Sequence, residues 1–299
     1  MEDRKLTDKP NAAHNNATND DRSTGQPFAE GQAEKLNRIA QVFAVMSGKG
    51  GVGKSSVSAL LAVALRRAGF RVGILDADVT GPSIPRLFGL KTVPGAGPLG
   101  MMPPVTTTGI KVMSINLLLP SEDEAVIWRG PLIASAIRQF WTEVYWGDLD
   151  YLIIDLPPGT ADAPLTVMQS IPLNGIVMVT SPQDLAGMVV RKAARMAEQL
   201  HVPLVGLVEN MSYLLCPHCG QRIEPFGPSH GETMAKMLQV PLIGQLPLDP
   251  RLSALGDAGK IEAYDAPELG PMVEQVRSQM PSEAVTPIMP ARHPQPQQN

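Results

Sequence analysis

Cysteine is scarce in this 299-residue sequence: there are two, at positions 216 and 219. Two thiols cannot staple a chain of this length, so the disulfide frameworks of small secreted domains are excluded. A reduced, cytoplasmic setting is the simplest expectation, and the pair needs another explanation. Long apolar runs are missing as well. None approaches the ~18 residues that cross a bilayer, and no basic region leads into an apolar stretch near the N-terminus, so neither a membrane anchor nor a secretory signal is expected. Nor is there an excess of charge of one sign. With 25 basic and 29 acidic side chains the net charge is −4, which supplies no global field for nucleic acid.

What remains is an ordinary globular composition, 43% hydrophobic and 18% charged. Residues 1–40 are expected to be a disordered tail, Asn-, Asp-, Thr- and Gly-rich to residue 32, with a short helical lead-in over 33–40. Residues 281–299, rich in Pro and Gln, read as a second tail. Between them, 41–280 form one domain. Short apolar runs at 42–46, 72–75, 111–115, 151–154, 176–179, 204–208 and 242–245 read as buried strands. Helical patterns at 54–68, 132–145, 185–200, 231–238 and 267–280 fall among them. Alternation of this kind predicts a doubly wound α/β fold, a mostly parallel sheet flanked by helices, with functional loops at the carboxyl ends of the strands. Residues 92–104, rich in Pro and Gly, are expected to be a long surface excursion.

Gly48-Lys49-Gly50-Gly51-Val52-Gly53-Lys54-Ser55 matches the phosphate-loop pattern G-x-x-x-x-G-K-[ST] in full, between a predicted strand and a predicted helix. Glycines let successive backbone N–H groups converge on phosphate oxygens, and the helix N-terminus adds partial positive charge. Lys54 would reach the β- and γ-phosphates of ATP, and the Ser55 hydroxyl would ligate Mg²⁺. Lys49 adds a second cation that would face an anion, one bound to a second subunit among the options. Two further loops carry carboxylates. Asp155 ends the strand 151–154 and suits a Walker B carboxylate that organises Mg²⁺. Pro157-Pro158-Gly159 follows, where the Gly159 N–H could sense the γ-phosphate. Asp78 suits positioning an attacking water, while Asp76 is a second-shell Mg²⁺ partner or a turn former.

Cys216-Pro217-His218-Cys219 puts two thiols at C-x-x-C spacing beyond the strand 204–208. Two thiolates are half of a tetrahedral or cubane set. A closed site therefore needs a second copy of the chain or other ligands, His218 and His230 being conceivable ones. Three readings stand here: a [4Fe–4S] cluster shared by a homodimer, a structural Zn²⁺, and a dithiol redox pair.

Together, GKGGVGKSS at 48–56, DADVTGPS at 76–83, DLPPGTADA at 155–163, ENMS at 209–212 with CPHCG at 216–220, and PLDP at 247–250 resemble the Mrp/ApbC iron–sulfur cluster carrier ATPases. These belong to the deviant Walker A branch of P-loop NTPases. The resemblance runs from about residue 42 to 260. It implies a homodimer that binds ATP and Mg²⁺, hydrolyses ATP, carries a labile [4Fe–4S] cluster between subunits, and meets apo iron–sulfur proteins and cluster-assembly scaffolds. Residue by residue, it implies that Lys49 reaches the partner's nucleotide and that Gly48 to Ser56 hold the phosphates. Asp78 would activate water, Asp155 would serve Mg²⁺, and Asn210 would contact adenine. Cys216 and Cys219 would ligate the cluster. Ala161 stands where the family often has Gly, which implies slower hydrolysis. Positioning switches of the ParA/MinD kind and a zinc-clamped dimeric assembly factor are the alternatives. The Pro/Gln-rich end lacks the amphipathic membrane helix of the former, so no membrane or nucleic-acid partner is expected.

Overall fold

The computed structural model describes residues 32–280 apart from 79–80, 82, 119–129, 161 and 184–186. The two terminal expectations, 1–31 and 281–299, and the Ala161 departure lie outside the described residues. At the start of the described chain, α1 (Gln32–Leu36) is followed by β1 (Arg38–Ser47). The expected lead-in over 33–40 is thus half helix and half strand, because Ile39 already aligns with Leu149 in the sheet.

Strand and helix then alternate as the apolar runs demand. The phosphate-loop pattern connects β1 to α2 (Lys54–Arg67), after which come β2 (Val72–Asp76), the short α3 (Ile84–Leu87) and a small hairpin, β3 (Gly95–Gly97) with β4 (Gly100–Met102). That hairpin occupies the expected surface excursion. Next are β5 (Lys111–Ser114), α4 (Gly130–Thr142), β6 (Asp148–Asp155), α5 (Asp162–Ser170), β7 (Gly175–Thr180) and α6 (Gly187–Gln199). The chain continues through β8 (Leu204–Leu215), β9 (Arg222–Ile223), α7 (Gly231–Leu238), β10 (Leu242–Pro247), α8 (Pro250–Asp257) and α9 (Leu269–Gln279).

The main sheet runs β10-β8-β7-β1-β6-β2-β5, every pair parallel, with β9 added antiparallel to the end of β8. Successive β1 side chains serve opposite faces. Val42, Ala44 and Met46 join a core with Phe140, Val167 and Ala193, whereas Phe43 and Val45 pack with Leu61, Leu65 and Val276 of α2 and α9. Helices on both faces explain why the strands read as unbroken apolar runs. The doubly wound α/β architecture follows from this order. It aligns the carboxyl ends of β1, β6 and β2, since Val45 is in register with Asp155 and Asp155 with Asp76.

Candidate nucleotide and cysteine sites

The turn from β1 into α2 is an open cradle. Gly51 and Gly53 sit in the left-handed region, with φ of 85° and 77°, where a side chain is strained. A Cβ on Gly51 would meet nothing within 4 Å, so the loop faces free space, whereas one on Gly53 would stand 2.3 Å from Asn210 Nδ2. Val52 is buried and its carbonyl accepts from that same Asn210 amide at 2.9 Å. Asn210, called for adenine, therefore lies against the back of the loop. With Ser56, Met211, Leu248, Asp249 and others it lines a cavity of about 350 Å³, within the range of small-molecule sites. Gly48 and Lys49 begin the loop, and the Lys49 carbonyl accepts from Ser47 Oγ at 3.0 Å.

Behind the cradle, Asp155 is fully buried and saturated with donors. Lys54 Nζ lies 2.8 Å from one carboxylate oxygen, Ser58 Oγ is 2.6 Å from that oxygen, and Ser55 Oγ is 2.6 Å from the other. Lys54 and Asp155 thus hold each other, and Asp155 caps no helix, as α5 begins seven residues later at Asp162. Ser58 was missed in the sequence. Its signal was available, since it sits one helical turn beyond Lys54 on the same face of α2. Beside this pair, Asp76 is also fully buried. It accepts from the backbone N–H of Asp78 at 3.2 Å, from that of Ile84 at 3.3 Å and from Ser114 Oγ at 3.1 Å. Burial, and then the Asp155 charge, push its carboxyl well above the usual range. Asp76 is therefore a turn organiser that orients Asp78, itself 8% exposed. The Gly159 N–H, which the sequence suggests could sense a γ-phosphate, donates to the Ser47 carbonyl at 3.0 Å. Residues 156–159 continue alongside β1 beyond β6, the Leu156 N–H donating to the Val45 carbonyl.

The cysteines stand elsewhere. β8 does not stop at residue 208; it runs on to Leu215, so Cys216 follows the strand directly. The Cys216 N–H donates to the Gln221 carbonyl, and the Gly220 N–H returns to the Cys216 carbonyl, both at 2.9 Å, closing a tight turn before β9. Both thiols are free, Cys219 being exposed and Cys216 half-buried. Backbone N–H groups of Cys219 and His218 aimed at the Cys216 sulfur hold its thiol below the usual range. Among the described residues, no group of three or more His, Cys, Asp or Glu side chains could hold a metal ion. His218 and His230 therefore complete no site within one chain. Leu215 and Ile223, 54% and 46% exposed, flank the turn with apolar surface. Among the described residues no helix is long and apolar enough to cross a membrane.

Known proteins resemble the chain along this whole span. A family model described as ParA, NUBPL iron-transfer P-loop NTPase, matches residues 38–280. An iron–sulfur cluster carrier protein of Methanocaldococcus jannaschii is 48% identical over 228 residues, covering 76% of this chain and 79% of that protein. One from Clostridium perfringens is 45% identical over 236 residues, covering 76% and 83%. Among solved structures, a nucleotide-binding protein in complex with ADP from Archaeoglobus fulgidus superposes with a TM-score of 0.71 at 49% identity, covering 77% of this chain and 90% of that one. A cell-division ATPase MinD from Pyrococcus furiosus shares the fold at 20% identity and a TM-score of 0.57. The chain belongs to the iron–sulfur cluster carrier family of P-loop NTPases.

Proposed function

We propose that the protein binds and hydrolyses ATP and, as a homodimer, carries a [4Fe–4S] cluster that it passes to apo iron–sulfur proteins, with cluster-assembly scaffolds as its donors. The single observation that supports this most is that one strand, β8, joins both sites. Asn210 in that strand bonds to the phosphate loop, and Cys216 follows its last residue.

The residues fit the groups they would hold. Open space over Gly51 suits a polyphosphate, and the Ser55 hydroxyl and Asp155 carboxylate, already 2.6 Å apart, are the hard oxygen donors that Mg²⁺ prefers. When bound, Mg²⁺ neutralises charge that builds up on the phosphates. Lys54 would exchange Asp155 for the β- and γ-phosphates, freeing that carboxylate. Asp78, oriented by Asp76, would take the proton of the attacking water, and Lys49 would reach the nucleotide of the second copy. The cavity beside Ser56 and Asn210 would take the adenine and ribose. Cys216 and Cys219 supply two of the four thiolates that a cubane cluster needs, so two copies complete the set. Residues 41–280 form the working domain on this reading, in the cytoplasm.

Anaerobic reconstitution with iron and sulfide tests it. The expected result is broad absorbance near ~400 nm that is lost in Cys216→Ala, while calorimetric ATP affinity is unchanged. A colourless, zinc-loaded dimer would instead favour the structural clamp.

A further inference from the structure

Outside the phosphate site, Glu209 is a fully buried carboxylate, placed in β8 beside Asn210. It accepts from Ser212 Oγ at 2.8 Å, Ser229 Oγ at 2.5 Å, the His230 N–H at 2.9 Å and Gln245 Nε2 at 3.1 Å. Gln245 also donates to Ser229 Oγ at 2.7 Å. These donors come from three places. Ser212 lies on the limb that leads out to the cysteines, Ser229 and His230 lie on the limb that returns from them, and Gln245 lies on the neighbouring strand. Glu209 thus closes the base of the excursion that bears Cys216 and Cys219.

The strand is irregular at the same place. β10 advances from Gln245 to Pro247 while β8 advances from Glu209 to Tyr213, so β8 bulges by two residues. Within the bulge Met211 has a φ of 58°, which side-chain-bearing residues rarely adopt. That reversal brings the Ser212 hydroxyl back onto both the carbonyl and the carboxylate of Glu209. On the other side, the neighbouring Asn210 is fixed to Val52 and packed against Gly53 of the phosphate loop. A buried, saturated carboxylate cannot shift alone without leaving donors unpaired. Asn210 thus touches the phosphate loop while its neighbour Glu209 touches both limbs, so two adjacent residues link the loop to the base of the cysteine excursion.

We propose that Glu209 is a positioning residue for the cysteine turn, the joint through which nucleotide at the phosphate loop alters the setting of Cys216 and Cys219. This rests on the carrier reading for what the thiols hold, not for the joint itself.

The test uses the full, metal-free chain. It follows the rate at which the two thiols react with an aromatic disulfide reagent in the presence of Mg²⁺ with ADP or with a slowly hydrolysed ATP analogue. In the wild type the two rates should differ by at least about fivefold, the low end of ordinary coupling between sites. Glutamine keeps one acceptor oxygen and turns an NH₂ toward donors. In Glu209→Gln the difference should fall below about twofold, with nucleotide affinity held within about threefold by calorimetry. Ser229→Ala, which removes a single donor, should lose part of the response and reads the same quantity if Glu209→Gln does not fold. A full wild-type response in both variants would overturn the proposal, as would wild-type thiols indifferent to nucleotides that bind. Because no cluster is present in the assay, a failure to load iron would sink the carrier reading alone.

Discussion

Lys54 and Asp155 illustrate how much of the site's behaviour sits in single side chains. Their 2.8 Å contact is buried, and the hydroxyls of Ser55 and Ser58 complete the carboxylate's shell. Removing the lysine leaves a buried charge with neutral donors only. Lys54→Ala should therefore abolish the heat of nucleotide binding and also lower unfolding free energy by about 3–5 kcal/mol, readable by denaturant titration. Unchanged stability would mean that the pair contributes nothing at rest. Cys216 permits a second prediction. Donor N–H groups favour its thiolate, so the thiol ionises at lower pH than a free one. Its alkylation rate in the metal-free chain should rise to half-maximum at a lower pH than that of a cysteine in an unstructured peptide measured alongside. A midpoint at or above that of the peptide thiol would contradict the turn geometry. The phosphate-loop lysine and the cysteine pair were legible from spacing alone. Glu209 was not, because its donors at 229, 230 and 245 are distant in sequence, whereas Ser58 was overlooked although its spacing from Lys54 was readable.

The phosphate loop and β8 show the same division among elements. At Gly53 the left-handed backbone and the crowding by Asn210 act together. Gly53→Ala should destabilise the fold by about 1–3 kcal/mol and weaken nucleotide binding, checked by thermal melts and calorimetry. A neutral outcome would show that Asn210 can move aside freely. Leu61, fully buried on α2, should lose about 2–5 kcal/mol on truncation to alanine, with no effect specific to nucleotide. The apolar runs located all seven parallel strands and five of the helices. The far half of β8 escaped because Glu209, Asn210 and Ser212 interrupt its apolar run; hydrogen bonds, not hydrophobicity, keep them inside. α5 and α8 escaped as short segments, and α8 is announced only by Asp249, whose side chain accepts from the Arg251 N–H ahead of Pro250 at the first turn.

Across the whole molecule, parallel order brings the loops after β1, β2 and β6 together at one edge, while β8 carries the cysteines away from them. Sequence pattern foresaw the fold because each buried strand needs a helix on both sides. It could not foresee that one strand would span both sites, which depends on the bulge at residues 209–213. A lone chain offers two thiols and no third ligand among its described residues, so the proposed cluster would need a second copy to complete its ligands. Counting iron and sulfide in the reconstituted protein, with its mass measured under the same anaerobic conditions, tests this most directly. About two irons and two sulfides per chain, in a particle of two chains, is the predicted result. Four irons held by one chain, or a dimer loaded without any iron, would contradict it.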